Sequence, residues 1–402
     1  MLKKCELLAP AGDLVRCKTA IRYGADAVYI GGQRFSLRSR ASNFSLQDIR
    51  DACAFAHAHG ARIHVTVNMI PHEEDLEGLE EYLRELQDAG VDAIIAASAA
   101  VMEIAARTAP ELQIHCSTQM SVTNSSAAVF LRDALGADRV VLARECTMED
   151  VRNITKNCGI ETEAFIHGGM CVNYSGRCTL SNRMTLRDAN RGGCAQSCRW
   201  RYHVYDGGEE ICADTLMTMG SKDLCAASMI CDLMEAGVSS LKIEGRMKTE
   251  YYVACVVSAY RRLIDHIYEK QAPLSEEEMR IHEEDIARSF NREVCTGFYN
   301  GEAGPDSLIY TDASDDVRHD FLAVVLSYDK DAHTALIETR NPFSRFEKAE
   351  VISMQKGNRS FVFDWIRDTE GMYIEDSRHP MKQLVVPVPF EVQKDAIIRR
   401  IR

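Results

Sequence analysis

Four cysteines stand close together in one polar stretch of the chain, Cys171, Cys178, Cys194 and Cys198, separated by six, fifteen and three residues. A fifth, Cys225, follows in the string SKDLC. The stretch from Glu163 to Trp200 reads EAFIHGGMCVNYSGRCTLSNRMTLRDANRGGCAQSCRW. It opens as a buried strand (Ala164, Phe165, Ile166), turns through Gly168 and Gly169, and then fills with Gly, Ser, Asn and Arg. Such a composition builds no apolar core of its own, so the cysteines are the natural means of holding it. Thiolates from one loop and a nearby helix start can converge on an iron-sulfur cluster or on zinc, while Asn173, Arg177, Asn182 and backbone N–H groups screen the anionic centre. The paired Cys-x-x-Cys knuckles of common zinc ribbons are absent, and Tyr202 and its neighbours supply no third thiol for a tight ferredoxin-type run. Three readings stay open at this level: an iron-sulfur cluster, structural zinc, and ordinary buried thiols. Cys198 and Cys225 compete for the fourth ligand position.

A second group of chemically able residues falls at the ends of apolar runs. Asn68 ends the third, Ser117 and Gln119 the fifth, Arg144 and Glu145 the sixth, His167 the seventh, and Lys242, Glu244 and Arg246 the eighth. If the runs are strands of one barrel, these side chains surround a single pocket, and Arg144, Lys242 and Arg246 suit a small dicarboxylate. The plainer alternative is that they point outward or pair as salt bridges. The loop GGQRFSLRSRASNFS sets Arg34, Arg38 and Arg40 beside Phe35 and Phe44, a mixture able to hold phosphate and stack a base, or simply a solvated basic loop. His-Glu-x-x-His and Gly-x-Ser-x-Gly are both missing, which removes support for a zincin or an α/β-hydrolase. A cysteine nucleophile paired with His167 stays formally open.

The elements that position these residues show an internal repeat: YGADAVYIGG at Tyr23, AGVDAIIAAS at Ala89, LGADRVVLARE at Leu135 and AGVSSLKIEGR at Ala236. In each, Gly suits the left-handed position past a helix end, and a short apolar run follows that fits a strand buried on both faces. Eight strands are expected: Glu6 to Leu8, Ala27 to Ile30, Arg62 to Val67, Ala93 to Ala96, Gln113 to Cys116, Arg139 to Leu142, Thr162 to Ile166 and Ser240 to Ile243. Helices are expected between them, among them Asp13 to Tyr23, Leu46 to His59 behind a Ser45 cap with Asp48 three residues on, Glu74 to Ala89, and Ser126 to Leu135. This βα repeat predicts an α/β fold, a TIM-like (β/α)8 barrel. A doubly wound sheet is the rival, but no Gly-x-Gly-x-x-Gly follows the first strand. The cysteine-rich insert, about 167–222, then follows strand seven and emerges at the C-terminal face of the barrel. Helices are expected from Thr249 to Tyr268 and from Ser275 to Phe290. Short β segments after Phe321 predict a small all-β C-terminal barrel or sandwich, giving a catalytic domain over 1–316 and a second domain over 317–402.

Composition bounds the function. The 402 residues are 46% hydrophobic and 27% charged, with a formal net charge of -13, so RNA contact requires a local basic patch and not whole-surface attraction. No apolar run approaches the ~18 residues of a membrane span, and a cytoplasmic protein without membrane partners is expected. In that setting the 15 cysteines read as reduced thiols or metal ligands. Cys17, Cys53, Cys158, Cys231 and Cys255 lie in helix-like apolar contexts and read as buried packing residues.

The strings EAFIHGGMCVNYSGRCTLSN, RDANRGGCAQSCRW, LLAPAGD, HCSTQMSVTN, SKDLC and KIEGRMK closely resemble the collagenase-like peptidase family U-thirty-two. The likeness runs in order from Leu7 to about Tyr299, and the β-rich tail looks like the family's C-terminal domain. Two departures stand out: Gly169 where the family often has Ala, and AIIAAS where strand four usually ends in Ser-Asp-Pro. The resemblance implies an oxygen-independent hydroxylase with a 4Fe-4S cluster, whose RNA-modifying branches take the hydroxyl group from prephenate. It implies Cys171, Cys178 and Cys194 as cluster ligands with Cys225 as the fourth, Cys198 belonging to the double-cysteine form seen in RNA-modifying members. Length and the extra domain look most like the tRNA branch, which forms 5-hydroxyuridine at the wobble position. On that reading Arg144, Lys242, Arg246, Asn68, Gln119 and Arg38 bind substrates, and Glu145, His167 or Glu244 moves protons. The expected partners are the anticodon region of tRNA, the dicarboxylate donor and iron-sulfur assembly proteins. A collagenase-like peptidase, an rRNA hydroxylase and a zinc-stabilised RNA-binding or assembly protein are the alternatives.

Overall fold

The computed structural model describes residues 1–37, 43–211, 216–301, 303–309, 319–352 and 357–401. Eight parallel strands form a closed barrel: β1 (Glu6–Pro10), β2 (Ala27–Gly31), β3 (Arg62–Val67), β4 (Ala93–Ala96), β5 (Gln113–Cys116), β6 (Arg139–Val141), β7 (Glu161–Gly168) and β8 (Ser240–Ile243). Each strand pairs with the next in sequence, and β8 closes the ring by pairing with both β7 and β1. This is the TIM-like architecture expected from the repeat.

Local chemistry explains the elements. Ser45 caps the Leu46–Ala58 helix and Asp48 returns the bond to the Ser45 N–H, the reciprocal capping box. Gly136 ends the Ser125–Leu135 helix at φ 65°, in the left-handed conformation that the repeat requires. The expected helix from Glu74 to Ala89 is broken: a short 3-10 turn at Glu73–Leu76 precedes the α-helix Leu79–Asp88, because Gly78 sits between them at φ 74°. Alternate strand residues face two cores. Leu7, Val28, Ile63, Ile94, Val140 and Leu241 pack outward under the helices, whereas Leu8, Ala27, Tyr29 and Ile95 form a separate small cluster inside the ring.

The chain departs from a plain barrel after β7. The segment that follows contains the helix Leu180–Thr185 and a two-stranded ribbon, Val204–Asp206 with Glu209–Ile211. The chain then returns as an unforeseen short strand, Asp223–Cys225, which runs antiparallel to the end of β7 and pairs Cys225 with His167.

Residues from Phe321 onward form an antiparallel all-β unit, an eight-stranded sheet around Phe343, Phe361, Phe363 and Leu384. The expected boundary at 316 and 317 lies outside the described residues. This unit is fastened to the barrel by directed polar contacts. Tyr23 Oη accepts from the Ile397 N–H at 2.9 Å, and Arg22 pairs with Asp395 at 2.6 Å. Arg399, 3% exposed, bridges Asp285 of the Glu276–Ala287 helix and Glu350 at 2.6 and 2.7 Å. Asp285 keeps Arg262 and Glu350 keeps Arg288 when Arg399 is removed, so Arg399→Ala loses charge-assisted hydrogen bonds without leaving a carboxylate unpaired and is expected to cost about 2 kcal/mol, read as a lower midpoint in thermal or urea unfolding.

Candidate active site

The barrel interior is charged. Arg139, the first residue of β6, is 1% exposed and donates to Glu6 at 2.6 Å, Glu161 at 2.6 Å and Glu163 at 3.2 Å. Glu163 in turn accepts from Lys242 Nζ at 2.7 Å. Burial alone would push the Glu163 carboxyl up, but Lys242 and Arg139 outweigh it and hold the pKa below the usual range, so the group stays ionised. His64 and His115 fill the same interior, edge to face at 4.7 Å. Burial, reinforced by Arg139, lowers the His64 pKa to about 3, and burial lowers that of His115 well below normal.

Two aromatic rings, Tyr29 and Phe165, lie next to Lys242. Lys242 Nζ lies 4.6 Å from the Tyr29 ring centre and 5.5 Å from that of Phe165, and the Arg144 guanidinium lies 4.1 Å from Phe165. Lys242 is neutralised by Glu163. Arg144 is half-buried and has no acidic side-chain partner among the described residues, which makes it the cation available to a carboxylate. Its charge acts on Lys242 on one side and on the Cys171 thiol on the other. Arg144 thus stands between the barrel pocket and the cysteine-rich insert.

The insert is held down by the rim loops. Glu145 Oε1 accepts from the Ser175 N–H at 2.9 Å, while its Oε2 is buried without a partner among the described residues. Ser121 Oγ donates to the Ser175 carbonyl, Glu244 Oε2 accepts from the Gly169 N–H at 3.3 Å, and the Ile70 N–H donates to the Asn190 carbonyl at 3.0 Å. Arg191 pairs with Asp75 at 2.6 Å. Gly176, at φ 72°, lies so close to the loop after β5 that an added Cβ would fall 1.9 Å from the Gln119 carbonyl oxygen. A side chain there would lift the insert off the barrel.

These contacts gather four thiols. Burial raises the Cys198 pKa, and Cys171, Cys194 and Cys178 each add to it; for Cys171, burial raises the pKa, the Asn173 N–H and Arg144 lower it, and Cys178 and Cys194 raise it. Asn173 Nδ2 donates to Cys178 Sγ at 3.3 Å. Four thiols placed together in one loop are a donor set suited to a multivalent cationic centre. They are neighbours and not a closed shell: among the described residues no three His, Cys, Asp or Glu side chains are already grouped tightly enough to hold a metal ion.

Several expected site residues take other positions. Cys225 does not join the four thiols; its Sγ is 3.7 Å from Tyr260 Oη, and its charged neighbours are Glu283 and Cys295. His167 is not at the mouth. The β7–β8 register shifts between Lys242 and Ile243, so the inward alternation of Glu163 and Phe165 breaks at Ile166 and turns His167 into the helix layer. There His167 is 3.3 Å from Tyr260 Oη and 3.4 Å from Ser289 Oγ, and burial, then Lys248, lower its pKa to about 3. It is neutral and enclosed, not a proton carrier for the pocket. Glu145 and Glu244 hold insert backbone. Asn68 accepts from the Leu37 N–H at 3.2 Å, and Gln119 contributes backbone to the Gly176 contact. Arg246 hydrogen-bonds Ser36, Thr66 and Asn43 at 3.2, 3.0 and 3.0 Å, tying the loop after β2 to the rim. Arg38 lies outside the described residues. Glu163, Arg139, Phe165 and Tyr29, unmarked in the sequence reading, shape the pocket floor; the signal was charged residues at alternate positions inside apolar strands.

The model of peptidase family U32 matches residues 12–308, and that of the family's C-terminal domain matches 317–399. The chain belongs to peptidase family U32. It is 42% identical over 387 residues to a Bacillus subtilis protein named tRNA hydroxylation protein P1, covering 94% of this chain and 91% of that one. It is 40% identical over 272 residues to a 23S rRNA 5-hydroxycytidine synthase of Escherichia coli, covering 68% of this chain and 41% of that one. A Porphyromonas gingivalis protein named collagenase is 35% identical over 311 residues, 74% of each chain. Among the described residues no helix is long and apolar enough to cross a membrane.

The buried histidines set a pH dependence. Each has a folded pKa below its unfolded value near 6.5, so the unfolded state binds the extra proton and stability falls as pH drops below that value. Between about pH 6.5 and 4.5, above the carboxylate range, His64, His115 and His167 should each cost up to ~1.4 kcal/mol per pH unit. His167→Phe is expected to remove its share of that slope in urea unfolding measured across pH.

Proposed function

We propose that this chain is an RNA hydroxylase that acts on tRNA. The observation that carries the reading is the near full-length likeness to a protein named for tRNA hydroxylation, together with four neighbouring thiols beside an arginine that has no acidic partner among the described residues, at a barrel mouth. The finer reading is formation of 5-hydroxyuridine at the wobble position, with prephenate as hydroxyl donor and a 4Fe-4S cluster held by Cys171, Cys178, Cys194 and Cys198. Cys198 replaces Cys225 in this set because its thiol lies in the electrostatic reach of the other three.

When bound, the cluster supplies redox-capable iron at the mouth of the barrel. The chain's own residues do the rest. Arg144 would take a carboxylate of the donor, with Phe165 beneath its guanidinium as an apolar wall. Lys242, fixed by Glu163, would place a second positive charge deeper in the pocket without leaving that charge uncompensated. The Glu145 and Glu244 carboxylates, by holding Ser175 and Gly169, would keep the insert over the pocket and limit water entry.

A peptidase reading gains little from the geometry. Cys225 and His167 pair across two strands, but burial raises the thiol pKa and lowers that of the imidazole to about 3. A thiolate–imidazolium pair requires the opposite shifts. An rRNA substrate is the second reading, favoured by the 40% identity to the 23S rRNA enzyme.

Nucleoside analysis of tRNA from a deletion strain should show loss of 5-hydroxyuridine-type nucleosides, restored by the wild-type gene and not by Cys171→Ala. Unchanged tRNA nucleosides with a lost rRNA hydroxycytidine would transfer the proposal to the second substrate. Iron and sulfide content of anaerobically purified protein tests the ligand set: Cys198→Ser should fall well below the roughly four irons per chain of the intact cluster, and Cys225→Ser should retain them. The reverse pattern would return Cys225 to the fourth position.

A further inference from the structure

The insert carries an exposed apolar tip that the pocket does not use. Leu186 is 90% exposed, more than any other large apolar side chain among the described residues except Met1. It ends the Leu180–Thr185 helix at φ 56° and ψ 24°, with its N–H on the Asn182 carbonyl at 2.9 Å. Gly or Asn is the usual residue for such a left-handed helix end. A leucine there is disfavoured twice, by its Cβ and by its exposure to water, and strain of this kind collects at functional positions.

The surroundings indicate the partner. Arg183 and Arg187 flank the tip, both exposed and without an acidic partner among the described residues, and Met184 beside them is 47% exposed. From Cys171 to Arg201 the chain has six arginines against one acid, Asp188, although its net charge is -13 overall. The tip is also rigidly tied to the thiol loop. Ser181 Oγ accepts from the Ala195 N–H at 2.9 Å, Asn190 Nδ2 donates to the Cys178 carbonyl at 3.0 Å, and the Gly193 N–H donates to the Asp188 carbonyl at 2.6 Å. A second copy of the chain is poorly matched, since two such tips repel. A polyanion with apolar stacked faces matches both features.

Resting on the RNA-hydroxylase reading, we propose that Arg183, Leu186 and Arg187 form an RNA-docking tip. Leu186 enters the stack of a single-stranded loop, and the two arginines sit on its flanking phosphates, so that the loop is opened beside the thiols. Side chain and backbone can be separated experimentally. Leu186→Gly deletes the wedge and at the same time relieves the left-handed strain.

The test is binding of an unmodified tRNA transcript to the anaerobically purified full-length protein, by fluorescence anisotropy over a salt series. Leu186→Gly should weaken binding roughly tenfold, with the salt slope unchanged and a thermal midpoint equal to or above wild type. The Arg183→Ala, Arg187→Ala double variant should lower the slope of log K against log salt by about 1.4 to 1.8, while Arg280→Ala, on the Glu276–Ala287 helix outside the insert, should leave it unchanged. Wild type that binds tRNA together with tip variants that bind equally well would overturn the docking tip and leave the hydroxylase reading standing. Wild type that fails to bind tRNA would overturn both. A change in sedimentation on Leu186→Gly without a change in tRNA affinity would assign the tip to self-association and sink the proposal.

Discussion

Charges buried in a closed barrel must be matched in place, because each one left unpaired costs several kcal/mol. Arg139 meets this constraint by contacting Glu6 of β1, Glu161 and Glu163 of β7, while Glu163 also takes Lys242 of β8. The salt-bridge lattice therefore joins both sides of the seam at which the barrel closes. It also fixes the height of Lys242 under Phe165 and Tyr29, and so the floor of the pocket. Fold closure and pocket chemistry rest on the same few groups.

The cysteine-rich insert faces the opposite problem. None of its apolar side chains is fully buried among the described residues, so it borrows order from the rim. Glu145, Ser121, Glu244 and Asp75 each hold a different point of it, and the bare Cα of Gly176 allows contact with the loop after β5. This leaves Cys171 and Cys194 exposed and Cys178 and Cys198 half-buried, with the Arg144 charge acting on Cys171. Leu186, Arg183 and Arg187 face outward from it.

Much of the fold was legible in the chain. The strands Arg62–Val67, Ala93–Ala96, Gln113–Cys116 and Ser240–Ile243 have the bounds read from their short apolar runs, since a strand buried on both faces leaves a continuous signal. The Ser45 capping box followed from residue types alone. Pairings between segments distant in sequence left no such mark. The Asp223–Cys225 strand was invisible because three residues carry no period, and its antiparallel return to β7 is what removes Cys225 from the other thiols. The β7–β8 register shift likewise could not be read from a sequence that alternates perfectly through Glu163, Phe165 and His167.

The sequence by itself determined the family, the barrel, the insert and the residue types available for chemistry, because these depend on local period, turn residues and motif spacing. Tertiary structure decided which of those residues share a site. It gathered Cys198 with Cys171, Cys178 and Cys194, enclosed His167 among Tyr252, Tyr260 and Phe290, and left Arg144 as the cation facing both pocket and thiols. The physical reason is that a side chain's role depends on which way it faces and on what neutralises it. Both are set by strand register and by contacts between residues far apart in the chain.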